Sequence, residues 1–134
     1  MTTIAVIGAG QIGSNVAREG HIAYVDDGAT TVAGLLQRHL PDSKMVQAFN
    51  MSSAAELPAD GIAPGTPDRR ALALAGADAG ARKTVAQIYD RTAFDAVDAG
   101  RLSKGWRFGR GQPVFIAHQN AGQLRANMER AHRK

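Results

Sequence analysis

The chain has 134 residues, 44% hydrophobic and 21% charged, with no cysteine and a formal charge of +4. That length suits a single domain over 1–134, and the lack of cysteine excludes disulfides, thiolate metal sites and a cysteine nucleophile. The opening MTTIAVIGAG has no basic n-region, and no apolar run approaches the roughly 20 residues that span a membrane, so a cytoplasmic chain with no membrane partner is expected.

The apolar, β-branched run Thr3–Ile7 predicts a buried strand ending at Gly8. Gln11–Arg18 predicts a short helix, interrupted at Gly20, and His21–Val25 reads either as a short strand or as an extended connection. Asp26, Asp27 and Thr30 are candidate caps for a helix whose apolar positions are Val32, Leu35, Leu36 and Leu40, with Pro41 as its stop. Lys44–Phe49 reads as a second strand. The Ser-, Pro-, Gly- and Asp-rich stretch 50–69 reads as a long loop with one turn around Ala54–Leu57, and a loop of that length in a small domain often carries function. Arg70–Ala75 predicts a third strand. Asp78 can cap a helix with a core face of Ala81, Val85, Ile88 and Tyr89. Phe94–Val97 predicts a fourth strand, Arg101–Phe108 one helical turn, and Val114–Ile116 a short extended piece. A last helix runs from about Asn120 to Arg130 with Leu124 and Met128 inward. Strands alternating with helices argue for an α/β fold. The expectation is a shortened Rossmann-like domain, with a mostly parallel sheet of about four strands flanked by helices.

Gly8-Ala9-Gly10-Gln11-Ile12-Gly13 fits G-x-G-x-x-G, directly after a β-branched strand and opening a helix. In that setting Gly8 permits the sharp turn, Gly10 has no Cβ to keep a pyrophosphate from the main chain, and Gly13 lets the helix lie close to the strand. The N–H groups and dipole of the first helical turn then favour an anion. A tight strand-to-helix turn that binds nothing is the alternative. A ribose-binding acid is needed about 20 residues on. Asp26 and Asp27 have the spacing, but Gln11–Gly20 leaves room for only two to three turns of helix at 3.6 residues each. Capping a helix is the better-supported role for Asp26.

The opening TTIAVIGAGQIGSNVAR resembles the N-terminus of the NADPH-dependent deazaflavin (coenzyme F-420) reductases, a Rossmann-type oxidoreductase family. The resemblance resumes at Gly20. GHIAYVDDGATTVAGLLQRHLPDSKMVQAFN, LPADG, GTPDRRALALAGADAGARKTVAQI, FDAVDAGRL and Trp106-Arg107-Phe108 are similar to segments that follow the family's fifth strand. Between the two blocks a typical member carries strands two to five, on the order of 65 residues, and this chain has nothing there. The resemblance implies NADP as cofactor and deazaflavin coenzyme F-420 as co-substrate. It places Gly8, Gly10, Gln11, Ile12 and Gly13 in the phosphate loop, and Asn50 and Trp106 beside the substrate cleft. The family's 2′-phosphate and adenosine contacts fall in the missing part. Hydride transfer between two rings held face to face asks mainly for positioning, so the resemblance implies no catalytic acid or base.

His21, Asp26 and His118 are the weak candidates for catalysis. Among His21, His39, His118 and His132 no pair has metal-ligand spacing, so no metal is expected. Asp98 at a strand end suits either a site or a loop cap. From Arg101 onward eight basic residues face one acid, Glu129. Such a tail can bind phosphates, but only Trp106 and Phe108 stand among its charges as stacking groups, so a nucleic-acid partner is not expected. Two further readings stay open: a cofactor-independent cyclase or isomerase of a small apolar metabolite in the old cleft, and a non-catalytic binding protein. The first strand, lacking its usual neighbours, pairs either with Lys44–Phe49 of its own chain or across a homodimer, the dimer being favoured because four short strands make a thin core.

Overall fold

The computed structural model describes residues 4–7, by their backbone, and 30–133. The strands are β1 (Ile4–Ile7), β2 (Lys44–Gln47), β3 (Ala71–Gly76) and β4 (Asp95–Asp98). The described helices are α1 (Val32–His39), α2 (Ala79–Arg91), α3 (Ala121–Glu129) and a 3-10 helix, Leu102–Phe108. The expected helix Gln11–Arg18 and the segment His21–Val25 lie outside the described residues.

The body of the sheet is β2-β3-β4, and β1 lies against the free side of β2. The sheet is mixed. β1 runs parallel to β2 and β3 parallel to β4, but β3 is antiparallel to β2, with Val46 opposite Gly76 and Gln47 opposite Ala75. This corrects the expectation of a mostly parallel sheet. The long connection through residues 48–70 returns the chain to the carboxyl end of β2, so β3 enters from there and runs back.

β3 is buried at every position, Ala71 through Gly76, as a strand covered on both faces must be. Neighbouring residues of β2 point to opposite faces. Val46 joins the main core with Val85 and Tyr89 of α2, while Met45 packs with Ala33, Leu36 and Leu102 in a smaller cluster. Thus α2 covers one face, and α1, the 3-10 helix and α3 cover the other. Gln47, on the Met45 side, donates from Nε2 to Gly105 O at 3.1 Å, tying the 3-10 helix to β2.

Local chemistry explains most element ends. Asp78 accepts from Ala81 N at 2.7 Å. Asn120 and Gln123 form a reciprocal capping box. The cap of α1 is Thr31, whose side chain accepts from Gly34 N at 3.1 Å, rather than Asp26, Asp27 or Thr30. Leu40, expected inward, is the C-cap residue, lies outside helical geometry and is exposed, as is Val32 at the other end. In α2 the covered stripe is Ala81, Val85 and Tyr89; Ile88 sits about 100° round the helix from Tyr89 and is exposed. β2 ends at Gln47 because Phe49 adopts φ 57, which turns the chain off the sheet. Val114–Ile116 is a turn rather than an extended piece. Ile116 has φ 54 and donates its N–H to Met51 O at 2.7 Å.

Candidate functional site

The parallel pairing of β1 with β2 puts Ile7 beside Gln47. Both strands therefore point their carboxyl ends to one edge, where ligands bind in open α/β sheets. Asn50 lies at that edge. It is 3% exposed, its Nδ2 donates to Phe108 O at 3.4 Å, and its Oδ1 has no partner among the described residues. The same holds for the buried Oγ of Ser52 and Nε of Arg107. A buried acceptor without a donor is costly, so this edge has capacity for a hydrogen-bonding group from outside the described chain.

Trp106 stands two residues before Phe108. Its ring is flanked by the guanidiniums of Arg107, at 5.4 Å, and Arg133, at 5.2 Å. These are cation–π distances, so the tail folds back on this helix. Asn50 and the Trp106 segment are thus brought together through the carbonyl of Phe108. Gly8, Gly10, Gln11, Ile12, Gly13, His21 and Asp26 lie outside the described residues. Asp98 accepts from Arg82 Nε at 3.0 Å and from Gly100 N at 2.7 Å, the contacts of a loop cap.

His118 lies in a second place. The bond between Ile116 and Met51 ties its segment to the start of the long loop. Its Nε2 is 3.7 Å from Glu56 Oε2 and 3.7 Å from Asp60 Oδ2. Glu56 and Asp60 are brought together by a helical turn in which Asp60 N donates to Glu56 O at 3.1 Å. Arg70, 3% exposed, binds Asp60 through Nη1, while its Nε and Nη2 find no partner among the described residues. A cavity of about 460 Å³ opens here, lined by Asp60, Asp68, Arg70, His118, Asn120 and Gln123 among others. Sequence reasoning missed this cluster, although the i, i+4 spacing of Glu56 and Asp60 in a long loop was a usable signal.

Arg69, next to Arg70, points elsewhere. It donates to Ile62 O at 2.8 Å, to Asp90 Oδ1 at 2.8 Å and to Asp95 Oδ1 at 2.9 Å. Burial disfavours its charge, but the hydrogen bonds to Asp90 and Asp95 outweigh that and raise its pKa. It is a structural clamp between the loop, α2 and β4.

Among the described residues no helix is long and apolar enough to cross a membrane. No protein-family model and no curated protein matches the chain. Solved structures do. A hypothetical protein from Sinorhizobium meliloti superposes with a TM-score of 0.64 at 28% identity, over 85% of this chain and 53% of the other. The chain therefore spans about half the length of that protein. A candidate F420-dependent NADP reductase from Arthrobacter sp. FB24 superposes with a TM-score of 0.48 at 26% identity, over 56% of this chain and 33% of the other. The first similarity establishes a shared α/β fold.

Proposed function

We propose that the chain is a reduced NADP(H)-binding oxidoreductase that resembles the NADPH-dependent deazaflavin reductases and acts in the cytoplasm on a small molecule. The carrying observation is the buried Asn50 Oδ1, without a partner among the described residues, at the edge where β1 and β2 end side by side. A nicotinamide carboxamide has the donor that this oxygen lacks, and Ser52 Oγ offers a second contact. In the sequence the G-x-G-x-x-G run begins at residue 8, directly after the residues of β1.

On this reading Gly8, Gly10, Gln11, Ile12 and Gly13 hold the pyrophosphate. Asn50 orients the nicotinamide amide, and Trp106 walls the cleft. The nicotinamide supplies a hydride, and the deazaflavin coenzyme F-420 is the partner that exchanges it. The chain's own part is to hold two rings in register and exclude water from between them. The proton that balances hydride addition to the deazaflavin comes from solvent on this reading, so His21, Asp26 and His118 are assigned no part in the step.

NADPH added to the full chain at a hundredfold excess over its Kd is expected to stabilise it by about 2.7 kcal/mol, read as a rise in Tm. Gly10→Val, which sets a branched side chain against the pyrophosphate, is expected to abolish the rise. No rise at millimolar NADPH would end this reading in favour of a cofactor-independent isomerase or a binding protein.

A further inference from the structure

We infer that the 3-10 helix Leu102–Phe108, with the chain end packed on it, is a docking surface for an extended acidic peptide that carries a carboxylate on every second residue. A 3-10 helix has about three residues per turn, so side chains three apart stack in one row. Leu102, Gly105 and Phe108 form one such row, and all three are buried. Ser103 and Trp106 form the next. The third row holds Lys104 and Arg107, and Arg101, the residue before the helix, starts it. Arg101 and Lys104 are exposed and Arg107 is half-buried. At a rise of about 2.0 Å per residue, positions in this row recur about every 6 Å.

The chain end adds a fourth cation. Gln112 donates from Nε2 to His132 O at 2.9 Å and accepts from His132 N at 3.2 Å, which fastens the tail beside the helix. Arg133 then lies 5.2 Å from the centre of the Trp106 ring, and Arg107 lies 5.4 Å from the same centre. The indole thus holds two guanidiniums at the row.

Lys44, Arg69, Arg70 and Arg82 each hold a carboxylate. Among the described residues Arg101, Lys104, Arg107 and Arg133 form no such pair, and from Arg101 onward the one acid in the sequence is Glu129. A row of one sign repels itself and concentrates the opposite charge beside it.

Spacing selects the occupant. In an extended chain alternate side chains share a face about 7 Å apart, close to the repeat of the row. Guanidinium forks take carboxylates in a two-point hydrogen bond. Single-stranded nucleic acid is the less suitable partner, because it asks for an aromatic plane on which to stack its bases. Trp106, the one aromatic of this helix outside the core, is already packed by two guanidiniums. The surface does not depend on the nucleotide reading.

The test is a titration of a fluorescent eight-residue peptide of alternating glutamate and serine with the full chain at low salt, read by anisotropy. Saturable binding is expected, weakened about tenfold at physiological salt. Arg101→Glu combined with Lys104→Glu should weaken it about tenfold or more, and Arg133→Glu about threefold. Arg101 makes no side-chain capping bond and Arg133 is an exposed residue of the chain end, so these variants keep the fold, which circular dichroism checks. Lys83→Glu combined with Arg91→Glu makes the same change of net charge on α2, across the sheet, and should change binding less than about twofold. A peptide of the same composition with its glutamates in one block should bind about threefold more weakly, since only two of them then share a face. No binding at millimolar peptide, equal binding of the block peptide, an equal loss in the α2 variant, or equal or tighter binding of single-stranded DNA of the same charge would overturn the inference. NADPH is absent from every arm, so failure here and failure of the nucleotide reading are distinguishable.

Discussion

At the scale of single residues, Tyr89 ties β3 to the turn that follows β2. It is fully buried, its hydroxyl donates to Ala73 O at 2.7 Å, and it accepts from Phe49 N at 2.8 Å. One oxygen thus satisfies a β3 carbonyl and the N–H of the residue that turns the chain away from β2. Burial pushes the phenol pKa up, so the group stays neutral across any ordinary pH range. The Phe49 ring meets the Tyr89 ring edge-on at 4.5 Å, a contact that survives loss of the hydroxyl. Tyr89→Phe therefore isolates the hydrogen bonds. It should cost about 1–3 kcal/mol, because a buried β3 carbonyl and a half-buried N–H lose their partner. Urea unfolding measures this, and a change under about 0.5 kcal/mol would mean that water or a backbone shift replaces the hydroxyl.

At the scale of elements, the start of α2 is set by charge as well as by shape. Asp78 accepts from Ala81 N and pairs with Lys44 Nζ of β2 at 3.2 Å, and these contacts lower its pKa. A carboxylate whose folded pKa lies below its unfolded value of 3.8 adds stability above that value. The contribution is lost as pH falls through the lower, folded pKa, so its window lies below about pH 4. Asp78→Asn keeps a good N-cap without the charge. The variant should lose less Tm than the parent between neutral pH and about pH 2.5. Parallel acid limbs in thermal melts would show that Asp78 does not contribute. The sequence made this cap legible, since Asp precedes an apolar stripe. It did not make Thr31 legible, because Asp26, Asp27, Thr30 and Thr31 all precede α1 and compete on similar local terms.

At the scale of the molecule, the sheet is narrow and one of its sides is built from a four-residue strand laid on a four-residue strand. Among the described residues no strand lies on the outer side of β1, and such an edge presents unpaired backbone groups. A homodimer that covers such an edge remains our proposal for the assembled protein. Light scattering at micromolar concentration should give twice the mass of the 14.1 kDa chain. A monomer at that concentration would remove the proposal. The spacing of the Gly loop pointed to a nucleotide, and the parallel register of β1 and β2 adds a reason to place Asn50 at the same edge. The cavity beside His118 was not foreseen, because its parts come from two segments that only the loop closure brings together.

The sequence by itself determined the units: the β3 run of small and apolar residues, the capped helices α2 and α3, and the long polar loop between β2 and β3. Each follows from neighbours within a few residues, where periodicity, capping and turn chemistry act. Only the tertiary structure decided that β3 runs against β2, that Arg69 is clamped while Arg70 lines a cavity, and that His118 meets Glu56 and Asp60. Those outcomes depend on contacts between residues far apart in the chain. Such contacts form only when the gain from burying the whole core exceeds the entropy of closing the loops, a balance that no local pattern contains.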